Sequence, residues 1–184
     1  ANPSGRISPS TAKHVLDGFD FGLDLVLDGG PCESGLESTI VDCTGKVARL
    51  LRPGGITREA LAAALTTANC NPQIDIAGPL ADHENPVAPG QLVSHYAPKA
   101  PVRLMAKTST ADEELIGFGT VSGAGKLALN LSPSGDLVEA AANLFSMLHA
   151  VDAADIAKIA IAPIPDIGLG EAINDRLRRA AAPR

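Results

Sequence analysis

The chemistry-bearing side chains of this chain are densest in residues 35–42, Gly-Leu-Glu-Ser-Thr-Ile-Val-Asp. Here the carboxylate of Glu37 is followed by the hydroxyls of Ser38 and Thr39. The Ile-Val pair behind them is β-branched and favours an extended, half-buried backbone. Three hydrogen-bonding side chains therefore stand at the start of a predicted strand, where ligand sites of α/β proteins tend to lie.

Arg52 lies ten residues beyond this stretch, in the sequence Leu-Leu-Arg-Pro-Gly-Gly. A guanidinium group presents a planar fork of donors and is the usual partner of a phosphate or carboxylate. Residue types alone leave two interpretations open: a site for an anionic ligand, or a β-hairpin with a polar tip and one surface arginine. The first interpretation requires Ser38 and Arg52 to face one cavity.

The composition limits the possible partners. The chain has 184 residues, of which 45% are hydrophobic, with no Trp and one Tyr, so its core must be built from Ala, Leu, Ile and Val. The net charge is −6 and no basic block is present. We therefore expect no stable nucleic-acid binding and no anionic-membrane surface. A small anionic ligand held by a few arginines remains compatible with these numbers.

Three cysteines, Cys32, Cys43 and Cys70, show no C-x-x-C spacing. An odd count without such spacing fits reduced thiols in the cytoplasm better than a disulfide framework. No apolar run approaches the roughly 18 residues of a membrane span, and no signal peptide is visible. The sequence therefore predicts a cytoplasmic location without membrane association.

Apolar spacing predicts alternating strands and helices with one hairpin. The expected strands are residues 23–27, 40–43, 47–51, 102–106, 114–118, 127–131 and 156–162. The expected helices are residues 9–17, 58–66, 136–150 and 170–182, the first three capped by Ser8, Thr57 and Ser134. On the last helix Ile173 and Leu177 are expected to face inward and Arg176 outward. The pattern predicts a mixed sheet in the first third and a small parallel sheet after residue 101.

Residues 67–101 differ from the rest because they hold six prolines and few periodic apolar positions. A segment of this kind is a linker by composition, and long ordered loops often act as lids over sites. Its densest part, residues 89–98, contains Tyr96 directly after His95. The alternative left open is a proline-bounded turn with the tyrosine packed on a neighbouring surface.

Several common motifs are excluded. Residues 117–126 are rich in glycine but match neither the G-x-G-x-x-G pattern nor the phosphate-loop pattern, because Leu127 stands where a hydroxyl is needed. The sequence has no G-x-S-x-G elbow for a serine hydrolase. A zinc site is not indicated, since the four histidines are dispersed; they are His14, His83, His95 and His149.

Five segments occur in a fixed order: residues 1–9, 28–30, 35–42, 51–54 and 94–98. Together they resemble the threonylcarbamoyl-AMP synthases, in the long form with a YrdC-like domain and an extra carboxy-terminal domain. The stretch Gly-Leu-Gly-Glu-Ala-Ile-Asn-Asp-Arg-Leu at residues 168–177 is similar to that extra domain. The resemblance covers nearly the whole chain.

The resemblance implies an α/β fold, with an α+β YrdC-like portion followed by a small Rossmann-like parallel α/β domain. Residues 1–66 would be the carboxy-terminal portion of the YrdC-like catalytic domain, residues 67–101 a linker or lid, and residues 102–184 the extra domain. Family members begin upstream, with a strand and a Lys/Arg-rich segment that helps to hold threonine and the triphosphate. We therefore expect an amino-terminal part to be missing and this chain alone to be inactive.

The resemblance also implies a nucleotidyltransferase that makes threonylcarbamoyl-AMP and pyrophosphate from L-threonine, bicarbonate and ATP. The product would pass to a transferase that modifies adenosine in tRNA. Ser38 would bind L-threonine. ATP would be bound by Ser8 at a helix N-terminus, by Arg52, by Tyr96 folding back from the linker, and by Asn2. Mg²⁺ is expected to arrive with ATP, with no metal site of the protein's own.

Two other functions stay open on the residues alone. One is a YrdC-like module that binds nucleotide or RNA without catalysis. The other is a regulatory small-molecule domain in residues 102–184, closing the linker over the site. A salt-titrated tRNA-binding assay tests the first, and activity with and without residues 102–184 tests the second.

Overall fold

A computed structural model describes residues 2–19, 22–76, 88–90, 92 and 94–183. The helices are α1 (Ala12–Gly18), α2 (Arg58–Thr67), α3 (Leu137–Ala153) and α4 (Leu169–Ala180). The strands are β1 (Ile40–Asp42), β2 (Ala48–Arg52), β3 (Ile74–Ile76), β4 (Val102–Arg103), β5 (Glu114–Ile116) and β6 (Ile159–Ile161). They form one mixed sheet and one parallel sheet, so the predicted α/β fold class is confirmed.

The first sheet has the order β1-β2-β3. The strands β1 and β2 form the predicted antiparallel hairpin, in which Ile40 pairs with Arg52. The strand β3 then runs parallel to β2 after the helix α2. This third strand lies in residues 67–101, the segment predicted from its prolines to be a linker. The sequence does not reveal the strand, because three residues leave almost no periodic signal. The proposed division at residues 66 and 101 stays a prediction.

The second sheet has the order β4-β6-β5, and all its pairs are parallel. Its strands β5 and β6 are buried at every position, as expected for a parallel sheet covered by helices. The helices α3 and α4 contribute the rest of the core. Its large, almost fully buried side chains include Ile116, Leu144, Phe145, Leu148, Ile159, Ile161 and Ile173.

Two of the three predicted helix caps are wrong. The prediction for Thr57 is confirmed, because its hydroxyl accepts from the Ala60 N–H. At α3 the cap is Asp136, not Ser134, because the aspartate stands directly before the first helical residue and accepts from two backbone N–H groups. At α1 the cap is Thr11, not Ser8.

Two predicted strands are absent. The described residues 22–39 contain no strand, and Leu25 and Leu27 are 75% and 87% exposed, so nothing described pairs with them. Residues 127–131 make a single bridge rather than a strand. There the buried carboxylate of Glu114 accepts from the backbone N–H groups of Leu127 and Ala128, which bends the chain into a turn.

The last helix buries its predicted apolar face, including Ile173 and Leu177. The outward placement of Arg176 is wrong, since this residue is only 1% exposed. It lies three residues after Ile173, so helical spacing brings it to the edge of the apolar face. Among the described residues, no helix is long and apolar enough to cross a bilayer.

Candidate functional site

Arg52 ends β2 and reaches across the hairpin to Ser38. Its Nε and Nη2 donate to the Ser38 carbonyl oxygen at 3.1 and 2.8 Å, and Nη2 also donates to the Ser38 hydroxyl at 3.1 Å. The Nη1 donates to the carbonyl of Pro89 at 3.3 Å. Because Arg52 is buried, the alternative of a surface arginine is wrong. The guanidinium instead fastens two backbone segments together.

The loop after β2 packs tightly on residues 37–39. A β-carbon at Gly54 would lie only 2.4 Å from the carbonyl oxygen of Glu37, so no other residue fits there without a shift. The Gly55 N–H donates to the same carbonyl at 3.0 Å. The Thr39 hydroxyl donates to the carbonyl of Ile56 and accepts from its N–H. The hydroxyl-bearing stretch is thus fixed by the Pro-Gly-Gly turn.

Tyr96 comes to the same place from far along the chain. A β-carbon built on Gly90 would lie 2.4 Å from the Tyr96 hydroxyl oxygen and 3.2 Å from Cδ of Arg52, so both side chains meet at Gly90. The backbone of Tyr96 has φ of 58°, a value that is uncommon outside glycine. Burial raises the pKa of Tyr96 above its ordinary value, so its hydroxyl stays neutral.

Ser8 joins this group through Glu37. The Ser8 hydroxyl donates to Oε1 of Glu37, and Nε of Arg176 donates to Oε2 at 2.8 Å. Burial raises the pKa of Glu37, but the charge of Arg176 and the hydrogen bonds outweigh it and hold that pKa below its ordinary value. Glu37 is therefore an ionised carboxylate with both oxygens engaged.

Arg176 is the residue of this site that the sequence interpretation missed. Besides Glu37 it contacts Asp175, with Nη1 to Oδ2 at 2.7 Å, and its Cζ lies 5.2 Å from the centre of the Tyr96 ring. Its Nη2 has no hydrogen-bond partner among the described residues. The available signal was its position three residues from Ile173, but a charged side chain favoured an outward assignment.

Asn2 is placed elsewhere. Its amide donates to the carbonyls of Pro3 and Arg6, and it lines a cavity of about 740 Å³ between α1 and α3. Ser38, Arg52 and Tyr96 do not line this cavity. Charged and titratable groups on its wall include Arg6, Lys13, His14, Asp17, Lys99, His149 and Asp152.

One wall of this cavity is a pair of stacked histidines. The rings of His14 and His149 lie 3.9 Å apart with an angle of 19° between them. The Ser10 N–H donates to Nδ1 of His14 at 3.3 Å, and Nε2 of His149 donates to the Ser8 carbonyl at 3.1 Å. The same short segment, residues 8–10, thus contacts both the cavity wall and the carboxylate of Glu37.

The structure therefore brings Ser38, Arg52 and Tyr96 together, connects Ser8 to them through Glu37 and Arg176, and leaves Asn2 at the neighbouring cavity. The ligand roles of these residues stay predictions. Within the described part of the chain, no group of three or more His, Cys, Asp or Glu side chains could hold a metal ion.

Comparison with known families covers both parts of the chain. A family model described as "Threonylcarbamoyl-AMP synthase, C-terminal domain" matches residues 56–182. This chain belongs to the threonylcarbamoyl-AMP synthase family. A second family model, described as "Telomere recombination", matches residues 1–54 of this synthase-family chain. The predicted family resemblance is thereby confirmed.

Individual relatives agree with this membership. Threonylcarbamoyl-AMP synthase of Bacillus subtilis (strain 168) is 33% identical over 200 residues, covering 100% of this chain and 56% of the relative. The Pyrococcus abyssi (strain GE5 / Orsay) protein of the same name is 33% identical over 197 residues, covering 100% of this chain and 57% of the relative. The chain spans about half the length of the curated relatives it matches.

Solved structures share the fold. The crystal structure of P. abyssi Sua5 complexed with L-threonine matches with a TM-score of 0.76 and 28% identity, over 98% of this chain and 56% of that one. A P. abyssi Sua5 variant, in which a histidine and the tyrosine after it are both alanine, matches with the same TM-score and 26% identity, over 98% and 55%. Both parts of this chain therefore occur together in one known architecture.

Proposed function

We propose that this chain is part of an L-threonylcarbamoyladenylate synthase, which makes threonylcarbamoyl-AMP and pyrophosphate from L-threonine, bicarbonate and ATP. The observation that carries this proposal is the meeting of Ser38, Arg52 and Tyr96 at one point in a chain of that family. These three residues are far apart in sequence. Tyr96 is only 1% exposed and its ring packs beside that of Phe145, so the alternative of a tyrosine packed on a neighbouring surface also fits its position.

Ser38 suits an amino-acid ligand. Its hydroxyl accepts from Arg52, so its own proton remains free to be donated to a ligand carboxylate, and the residue as a whole is exposed. The neighbouring guanidinium adds positive charge to the same place. The known complex of P. abyssi Sua5 with L-threonine supports threonine as the ligand of this family's fold.

The nucleotide is assigned to the side of the site formed by Arg52 and Tyr96, with Ser8 as a further proposed contact. Asn2 lines the neighbouring cavity and would contact the nucleotide only where the ligand extends into that cavity. Ser8 already donates its one hydroxyl proton to Glu37, so a phosphate there would approach a carboxylate. Mg²⁺ bound to the ATP phosphates would supply the positive charge that offsets this repulsion. Residues of the chain would orient the triphosphate and exclude water around it.

The proposed reaction is a nucleotidyl transfer with a simple balance of bonds. The amino nitrogen of threonine forms a bond to the carbon of bicarbonate, and the oxygen that this carbon loses leaves as water, which gives N-carboxythreonine. A carbamate oxygen of N-carboxythreonine then forms a bond to the α-phosphorus of ATP. The bond between that phosphorus and the oxygen leading to the β-phosphate breaks, and pyrophosphate leaves with the electron pair. Such a step depends on positioning and charge neutralisation more than on a strong acid or base.

The direct test is pyrophosphate release by the protein as its gene encodes it, with each of the three substrates omitted in turn. Arg52→Ala is expected to lower the rate by about 10- to 100-fold, because it removes a charge and releases the loop that carries Ser38. Arg49→Ala is the matched control, an exposed arginine on the same strand. Near-normal turnover by a folded Arg52→Ala protein would overturn the assignment.

Two further parts of the proposal concern the surroundings of the enzyme. The product is proposed to pass to a transferase that modifies adenosine in tRNA, in the cytoplasm. The three cysteines are free and exposed, which suits a reducing compartment. The alternative, a nucleotide- or RNA-binding module without catalysis, predicts ATP or tRNA binding without any pyrophosphate release.

A further inference from the structure

The side chain of Arg176 connects α4 to the candidate site across 139 positions of sequence. The side chain is 1% exposed. Nε donates to Glu37, Nη1 donates to Asp175, and the guanidinium carbon lies over the Tyr96 ring. One cation thus touches both the loop that carries Ser38 and the aromatic residue that reaches Arg52.

A stabilising role alone does not account for this arrangement. Removing a guanidinium from water is costly, and a buried ion pair is weak evidence for stability because an apolar side chain of similar volume often does as well. The side chain of Glu37 is still 23% exposed, so water can reach it if its partner is removed. Among the described residues, Nη2 has no hydrogen-bond partner.

We infer that Arg176 is a positioning residue of the synthase site, which orients the Glu37 carboxylate, and through it the Ser8 hydroxyl, while holding Tyr96 against Arg52. The expected effect on turnover rests on the proposed function, whereas the expected effect on the position and pKa of Glu37 does not. The carboxy-terminal part of the chain thereby contributes to the site, because the helix α4 supplies Arg176.

Loss of Arg176 has a specific electrostatic consequence. The Arg176 charge is the largest of the influences that hold the pKa of Glu37 below its ordinary value, and burial acts against it. Without that charge, the largest influence that lowers the pKa of Glu37 is lost, and the pKa rises. The carboxylate then has one free oxygen and can turn away from Ser8.

The structural test is a titration of Glu37 followed by carbon NMR of the side-chain carboxyl, in the protein as its gene encodes it. Arg176→Met, which keeps the apolar stem, is expected to move the Glu37 midpoint to higher pH. Arg176→Lys is expected to restore part of the wild-type value, and Arg178→Ala, on the exposed side of the same helix, to leave it unchanged. An unchanged midpoint in a folded Arg176→Met protein overturns the inference.

The kinetic test uses pyrophosphate release. Arg176→Met is expected to lower kcat by about tenfold or more and to move the acid limb of the pH–rate profile to higher pH. Adding Glu37→Gln to Arg176→Met is expected to cause little further loss of kcat, because both changes remove the same contact. Fully additive losses overturn the inference. If Arg176→Met does not fold, the Glu37 midpoint of Arg176→Lys decides the question instead. Absence of pyrophosphate release by the wild-type protein overturns the proposed function, while the NMR titration still tests the positioning role.

Discussion

Residues 102–183 and residues 2–76 bury very different amounts of their own apolar surface. In the first of these regions, β5 and β6 are buried at every position and α3 alone contributes six buried residues. In the second, neither α1 nor α2 has a buried residue, and β1 is only half-buried. Yet residues 2–76 carry Ser8, Ser38 and Arg52.

The difference shows that the two regions are stabilised by different kinds of contact. The region with the larger core is held by apolar packing, which is non-directional. The region with the site is held by directed contacts, several of which come from the other region. Gly35 packs on the backbone of Ala141, Glu37 pairs with Arg176, and Arg58 pairs with Glu171. The part of the candidate site that lies in residues 2–76 is thus fixed by contacts from residues 102–183, and Tyr96 joins it from the segment between them.

The largest effect is expected from a cavity in the apolar core of residues 102–183. Leu148→Ala, at a side chain only 1% exposed, should lower the free energy of unfolding by about 2–5 kcal/mol. Leu25→Ala in residues 2–76, at a side chain 75% exposed, should change it by no more than about 0.5 kcal/mol. Urea unfolding monitored by circular dichroism gives both values. Equal losses would remove the contrast between the regions.

A smaller effect is expected at the contact between the regions. The β-carbon of Gly35→Ala would lie 2.1 Å from the carbonyl oxygen of Ala141, at φ of 62°, so the loop and α3 must separate. We expect a loss of about 1–3 kcal/mol in the free energy of unfolding and faster amide exchange in residues 35–39. Gly29→Ala is the control, since nothing lies within 4 Å of its β-carbon. Equal stability of the two variants would show that this contact is not tight.

The smallest effect is expected from pH, through the histidines that join α1 to α3. Burial lowers the pKa of His14 and of His149, and for His14 the charge of His149 adds to the effect. Nδ1 of His14 also accepts from the Ser10 N–H, which requires that nitrogen to be unprotonated. The facing charges on the two helices are Lys13, Asp17 and Asp152.

Because both folded-state pKa values lie below the unfolded value of about 6.5, the unfolded chain binds more protons between the two values. Stability is therefore complete above about pH 6.5 and is lost as the pH falls below it. The urea midpoint of the wild type should drop more between about pH 7.5 and about pH 5.5 than that of His14→Gln/His149→Gln. Parallel profiles of the two proteins would show that the pair does not sense protons.

The sequence predicted the structure best where neighbouring residues alone determine the conformation. The hairpin of β1 and β2 follows from β-branched runs around a turn, and Thr57 caps α2 because a hydroxyl before a helix has a defined partner. The grouping of Ser38 and Arg52 follows from that hairpin, since the register sets Arg52 opposite Ile40.

The predictions that were wrong concern residues whose conformation is set by contacts with residues far away in the sequence. Ser8 resembles a helix cap locally, but its hydroxyl is taken by Glu37, and the helix begins at Thr11 instead. Residues 127–131 resemble a strand, but Glu114 binds their backbone. The inward position of Arg176 depends on a carboxylate 139 positions away, which no local pattern reveals.

The most direct measurement is a crystal structure of the protein as its gene encodes it, with L-threonine and a non-hydrolysable ATP analogue bound. The account predicts threonine within hydrogen-bonding distance of the Ser38 hydroxyl and the nucleotide in contact with Arg52 and Tyr96. Binding of both ligands away from these three residues, for example wholly within the cavity beside His14 and His149, would contradict it.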